Sequence, residues 1–174
     1  MRYTNWNVIT GAPSSGKTSV ICELEKLGYR VVHEVARAYI DEELQKGKSL
    51  KQIKADQLYF ERHILYKKIE IEEALPDDEV IFLDRAIPDS IAYFKLEQLN
   101  PDEPTEKSRA IRYNKIFLFD RLWLENDPVR SEDDKIATQL ERLLESSYRN
   151  LGYKVIRVPI FSVKLRTDFI LRQI

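Results

Sequence analysis

The sequence predicts a three-layer α/β/α fold in which a five-stranded parallel sheet is covered by helices on both faces. Three observations carry that prediction. Five short β-prone runs alternate with helical stretches along the 174 residues, the order that parallel strands joined by right-handed crossovers require. The first run opens directly into Gly11-Ala12-Pro13-Ser14-Ser15-Gly16-Lys17-Thr18, which fits the phosphate-binding pattern G-x-x-x-x-G-K-[ST] at every fixed position. Two later runs, Val80 to Leu83 and Lys115 to Phe119, are apolar and end in aspartates, Asp84 and Asp120; continuous apolar runs are how buried parallel strands read.

Trp6-Asn7-Val8-Ile9-Thr10 is the first strand. From Ser19 to Leu27, residues Val20, Ile21, Leu24 and Leu27 fall on one helical face before Gly28 ends it. Tyr29 to His33 reads as the second strand, and Glu34 to Ile40 leads into a helix that Gly47 can stop. Ser49 offers an N-cap for one long charged helix from Leu50 to Leu75, closed by Pro76-Asp77-Asp78. Beyond Asp84 a helix carries Ile91 and Phe94 until Asn100-Pro101 breaks it, and Asp102 to Ser108 reads as a polar surface connection into a short helix. The stretch Arg121 to Asp134 mixes tryptophan and leucine anchors with many charges and reads as a mobile flap or lid. Ile136, Leu140, Leu143, Leu144 and Leu151 then mark an amphipathic helix ended by Gly152. Tyr153 to Val158 is the fifth strand, and the last helix runs from about Ser162 to Gln173.

At this length, with 43% hydrophobic residues, the chain can bury one sizeable core, so residues 1–174 read as a single domain. A net charge of −1 supplies no global attraction to nucleic acid or to an anionic membrane. The one cysteine, Cys22, sits among apolar residues of the first helix and reads as a buried thiol. No apolar leader opens the chain and no run approaches the roughly 20 apolar residues of a membrane span, so the expectation is a cytoplasmic protein.

The phosphate loop points to ATP and Mg2+. Its two glycines let the backbone curl until its N–H groups, from Gly11 through Ser19, face phosphate oxygens at a helix N-terminus. Lys17 can place an ammonium against the outer phosphates, and the Thr18 hydroxyl can complete the shell of a magnesium ion. Sheets of this kind bind ligands beyond the C-terminal ends of their strands, which brings Glu34, Asp84 and Asp120 to the same rim. Asp84 is placed to hold magnesium and Arg85 to meet a phosphate or ligand oxygen. The rival for Asp84 is an N-cap of the helix that follows.

Leu83 to Tyr93, FLDRAIPDSIAYF with its flanks, is similar to the Asp-Arg, Ser and Ala-Tyr signature of thymidylate kinases and their deoxynucleoside-kinase relatives. Over nearly its full length the chain is more similar to a family of small P-loop ATPases or kinases, AAA-domain-like, that includes the nicotinamide riboside kinase domain. GAPSSGKT, HEVARAYI, the Asp127 to Asp133 segment, LGYKVIRVP and the closing helix carry that likeness. It implies a P-loop NTPase fold of the nucleoside- and nucleotide-kinase type. It also implies that Glu34 lies by the acceptor hydroxyl, that Arg37 reaches acceptor polar groups, and that Arg130 is a lid arginine closing on the transferred phosphoryl group. A solvent-facing Glu34–Arg37 salt bridge is an equal alternative, and Arg121 competes with Arg130. The flap departs from thymidylate kinases in length and composition.

The expected activity is a magnesium-dependent transfer of the γ-phosphoryl group of ATP to a small nucleoside-like or other metabolite acceptor, with Lys17, Glu34, Asp84, Arg85 and Arg130 as the catalytic set. Hydrolysis without an acceptor and a nucleotide-dependent binding module are the rivals. A regulatory GTPase is disfavoured, because Asp84 is not followed by the D-x-x-G switch and Phe117 stands where N-K-x-D needs its aspartate. ATP is preferred over GTP because Pro159 to Val163 offers the base mostly apolar contacts. Oligomeric state is open, a homodimer included.

Overall fold

A computed structural model describes residues 1–121 and 132–174. Its strands, in chain order, are β1 (Arg2–Tyr3), β2 (Asn7–Thr10), β3 (Arg30–Val32), β4 (Ile81–Asp84), β5 (Ile111–Arg112), β6 (Lys115–Phe119) and β7 (Val155–Val158). Five of them form a wholly parallel sheet in the order β3-β4-β2-β6-β7. β2 is therefore central, with β4 and β6 on either side, and the chain reverses its direction of travel across the sheet there. Crevices form at the strand ends where the order switches.

Alternation along the central strands explains why they read as continuous apolar runs. Val8, Leu83, Ile116 and Leu118 face one side, where Leu65, Ala92, Leu140, Leu144 and Tyr148 cover them. Ile9, Phe82, Phe117 and Phe119 face the other, against Val20, Ile21, Leu24 and Ile170. The first face is covered by α4 (Gln57–Glu73), α5 (Asp89–Leu96) and α7 (Glu132–Asn150), the second by α1 (Lys17–Lys26) and α8 (Val163–Leu171). Burying both faces gives each strand apolar partners above and below. Between them in sequence lie α2 (Val35–Gln45), α3 (Leu50–Ile53) and α6 (Asp102–Lys107).

The structure corrects the sequence reading in four places. The long helix expected over 50–75 is two: α3, opened by a capping box between Ser49 and Gln52, ends at Ile53, and α4 restarts where Asp56 accepts the Tyr59 N–H at 2.9 Å. The second N-cap, Asp56, outweighs the continuous helical pattern. The polar stretch 102–108, expected as a connection, is itself the helix α6. Residues 122–131 of the expected flap, Arg130 among them, lie outside the described residues, while 132–134 already belong to α7. Leu27 and Ile136, placed on buried faces by their spacing, are 55% and 50% exposed. The parallel pairing of β1 with β5 had no signal in the sequence, since each strand spans two residues. Among the described residues no helix is long and apolar enough to cross a membrane.

Candidate nucleotide and acceptor site

The loop after β2 is shaped by backbone that side chains resist. Gly11, Ser14 and Gly16 have φ of 146°, 60° and 82°, and only glycine adopts such values freely. A Cβ on Gly11 would lie 2.9 Å from the Phe119 carbonyl oxygen, so the loop leaves the sheet pressed against the end of β6. Gly16 then turns the chain into α1, whose first residue is Lys17. The Lys17 ammonium folds back over the loop, donating to the Ala12 carbonyl at 3.0 Å and the Ser15 hydroxyl at 3.2 Å. Burial first, then the neighbouring Arg85 guanidinium, pull its pKa down to about 8 against Asp84 and Glu34. An anion in this loop would relieve both penalties.

Asp84 ends β4, with Ile9 as its partner on β2. It is 3% exposed, and its Oδ1 accepts no hydrogen bond among the described residues. Burial pushes its pKa up to about 6, although Arg85 and Lys17 oppose this. Buried carboxylate oxygens are ordinarily satisfied, so an orphaned one beside a phosphate loop fits a hard cation. Among the described residues no group of three or more His, Cys, Asp or Glu could hold a metal alone. A magnesium ion here would share Asp84 and the exposed Thr18 hydroxyl with phosphate and water oxygens, as that ion's reluctance to dehydrate favours. Asp84 is not the helix cap that the sequence left as its rival. α5 begins at Asp89 with Pro88 at its N-cap position, and the Ala86 N–H is taken by Asp89 Oδ2 at 3.0 Å.

Arg85 sits at φ 69°, its N–H held by the Ile9 carbonyl at 3.0 Å. This strained geometry turns the side chain into the cleft. Its Nε donates to Glu34 Oε1 at 3.0 Å and its Nη1 to Asp89 Oδ1 at 3.4 Å, and the guanidinium lies 5.3 Å from the Tyr93 ring centre. Asp89, fully buried, also accepts from the Thr10 hydroxyl at 2.5 Å and from the Tyr148 hydroxyl. Glu34 is the residue before α2. Burial pushes its carboxyl up, but Arg85 and Lys17 outweigh that and hold it below the usual carboxylate range.

A cleft of about 520 Å³ opens between the phosphate loop and helices α2, α4, α5 and α7, and Lys17, Thr18, Glu34, Arg37 and Arg85 all reach its wall. The structure thus places Pro13, Ser14, Lys17, Thr18, Glu34, Arg37 and Arg85 on one cleft, with one change of partner, while Asp84 ends β4 and is not among the cleft-lining residues. Arg37 pairs with Asp41 at 3.2 Å and not with Glu34, whose partner is Arg85. Arg121 donates to Asp134 Oδ1 at 2.6 Å, joining the end of β6 to the start of α7.

Sequence reasoning missed five residues. Asp89 and Tyr93 frame Arg85, Glu61 and Lys68 are buried at the cleft wall, and Arg166 ties the nucleotide loop in place. Arg166 is 2% exposed and donates to the Ser15 carbonyl at 2.5 Å and the Pro159 carbonyl at 2.9 Å. The signal for Arg166 was available: it stands one turn before Ile170, in phase with the inward face of α8.

Residues 6–166 match a protein family described as AAA domain. Among solved structures, the NadR protein in complex with NAD and AMP-PNP is similar at a TM-score of 0.69 and 17% identity, covering 97% of this chain and 49% of that one. The chain spans about half the length of the NadR chains it matches. Deoxyadenosine kinase from M. mycoides with products dCMP and dCDP is similar at 0.63 and 16% identity, covering 97% of both chains. Thymidylate kinase from Ehrlichia chaffeensis is similar at 0.64 and 15% identity, covering 97% and 96%. No curated protein matches the sequence. At these identities the likeness is one of fold, the P-loop fold shared by kinases and ATPases.

Proposed function

The chain belongs to the AAA domain family, and on that premise we propose that it is a cytoplasmic, magnesium-dependent phosphotransferase that moves the γ-phosphoryl group of ATP onto a hydroxyl of a small nucleoside-like acceptor. One observation carries this reading. Glu34, held ionised by Arg85, opens on the same 520 Å³ cleft as Lys17 and Thr18, so a hydroxyl bonded to Glu34 would face a phosphate held by the loop. Structural neighbours of this fold bind NR, AMP-PNP or deoxynucleotides, which supports a nucleoside-like acceptor.

In this mechanism Gly11 to Ser19 cradle the phosphates with backbone N–H groups, and Lys17 exchanges its contacts with Ala12 and Ser15 for phosphate oxygens. A magnesium ion held by Asp84 and Thr18 would neutralise charge on the outer phosphates. Glu34 accepts a hydrogen bond from the acceptor hydroxyl and fixes its line of approach. Arg85, already anchored by Asp89, holds Glu34 in that direction. Arg37 meets acceptor polar groups at the cleft mouth, and Arg130 closes on the transferred group.

The test is ADP formation from ATP by the purified chain, with and without a panel of nucleosides, nucleotides and vitamins. The expected result is turnover stimulated by at least one acceptor and nearly abolished by Lys17→Ala. Turnover that no acceptor changes would replace the kinase reading with simple hydrolysis, and tight ATP binding without turnover would replace it with a binding module.

A further inference from the structure

Away from the phosphate loop, the cleft wall carries two buried ionisable side chains that the transfer chemistry leaves unused. Glu61 and Lys68 stand seven residues apart on α4, two turns along one helical face. They are 6% and 4% exposed and both reach the cleft. Among the described residues Glu61 makes no hydrogen bond, no ion pair joins it to Lys68, and the Lys68 ammonium donates only to the Ser90 hydroxyl at 3.2 Å. Buried charges without an ion-pair partner are costly and are retained mainly where something binds them. Burial raises the Glu61 carboxyl to about 7 and lowers the Lys68 ammonium, so each has unspent capacity for a ligand. Beside them the cleft carries the apolar or aromatic Phe60, Ile64, Tyr93 and Leu96, with the charged Lys54 and Glu97 also near Glu61. Apolar and aromatic walls that hold a buried donor and a buried acceptor suit a planar ring.

We infer that Glu61 and Lys68 form the subsite for the end of the acceptor remote from its reacting hydroxyl, and that this subsite takes a planar ring with an amide edge, an N–H beside a C=O. The inference rests on the phosphotransferase reading for the acceptor's other end. The complementarity holds in either protonation state of Glu61. As a carboxylate it accepts the ligand N–H while Lys68 donates to the carbonyl. As a neutral acid its own carbonyl and hydroxyl complement the amide side by side. A ring bearing a carboxylate in place of the amide lacks the N–H and meets Glu61 with like charge.

Calorimetric binding without ATP tests the subsite independently of turnover. Three pairs serve as probes: nicotinamide riboside against nicotinic acid riboside, uridine against 3-methyluridine, and inosine against 1-methylinosine. At least one amide-edged member should bind at least about tenfold more tightly than its blocked partner, since polar sites reject ligands that leave their groups unpaired. Glu61→Met should erase that preference, and Glu61→Gln, whose amide still accepts an N–H, should keep it for the methylated pairs. The subsite is overturned if no amide-edged probe binds, if the blocked partner binds equally well, or if Glu61→Met retains the preference. A preference in binding with no ADP formed from any probe would sink the phosphotransferase reading and leave the subsite standing. Acceptor-stimulated turnover without any preference would do the reverse.

Discussion

Arg85 Nε donates to Glu34 Oε1 across 3.0 Å, joining the end of β4 to the residue that leads into α2. The arginine is 5% exposed and gripped again by the buried Asp89, so Glu34 is held by a side chain that cannot swing away. This pairing keeps the Glu34 carboxyl below its usual pKa, and a carboxylate with a low pKa is a poor base but a good orienting acceptor. Glu34→Gln should therefore lower acceptor-dependent kcat by less than about 10²-fold, the lower bound of general-base effects, with ATP affinity unchanged. Single-turnover rates and nucleotide Kd measure the two effects; a loss well beyond 10²-fold would assign Glu34 the proton transfer itself.

Asp84→Asn should reduce turnover by at least about 10²-fold, because the charge that would hold the magnesium ion against the reacting phosphates is lost, and should leave the melting temperature equal or higher. The reason is its isolation: Oδ1 is buried without a partner, and burial lifts the carboxyl from 3.8 to about 6. Because the folded pKa is raised, the proton is held more tightly in the folded state, and the stability this gives is lost as pH rises from 3.8 through about 6. The amide has no such loss, so variant and wild type should converge below that window and diverge in the variant's favour above it. A large drop in melting temperature at neutral pH would make Asp84 a structural group.

Much of this site was legible because its chemistry needs residue types at fixed spacing. The Gly11 to Thr18 pattern announces a backbone cradle, and the apolar run ending at Asp84 announces a strand tip at the rim. What the sequence could not carry was pairing between distant segments. Glu34 and Arg37 lie one helical turn apart, which favours their pairing in sequence terms, yet the structure gives Glu34 to Arg85, 51 residues away. Glu61 and Lys68 read as two of many charges on one long charged helix, and only the packing of α5 against α4 reveals which of them are buried. The break at 54–56 was hidden for a similar reason, since a capping aspartate inside a charged stretch looks like any other charge.

Glu72 offers a pH test of the fold away from the site. It is 2% exposed and accepts the Tyr113 hydroxyl at 2.6 Å and the Ile87 N–H at 3.1 Å, bracing α4 against the loop after β4. Burial, partly offset by Tyr113 and Lys68, raises its carboxyl from 4.5 to about 7. A raised carboxyl contributes stability that is present below pH 4.5 and lost as pH climbs through about 7. At 1.36 kcal/mol per unit the shift is worth about 3 kcal/mol. Glu72→Gln should flatten the fall in unfolding free energy between pH 5 and 7.5, read by urea titration; an unchanged slope would show that Glu72 does not carry this linkage.

Gly11 and Gly28 make a matched pair for testing whether the phosphate loop is defined by its backbone. Both have positive φ, 146° and 91°, but nothing lies within 4 Å of a Cβ on Gly28, whereas a Cβ on Gly11 meets the Phe119 carbonyl oxygen at 2.9 Å and the Ser15 hydroxyl at 3.2 Å. Gly28→Ala should cost only the left-handed conformation, about 1–2 kcal/mol, and leave ATP binding intact. Gly11→Ala adds a clash with main chain that cannot rotate aside, because that carbonyl belongs to the last residue of β6. The loop must shift instead, and its N–H groups shift with it. The expected result is a loss of ATP affinity of at least about tenfold, equal to 1.4 kcal/mol, beyond any change in stability. Equal ATP affinity in the two alanine variants would mean that the cradle tolerates displacement, and the assignment of phosphate binding to its backbone would fail.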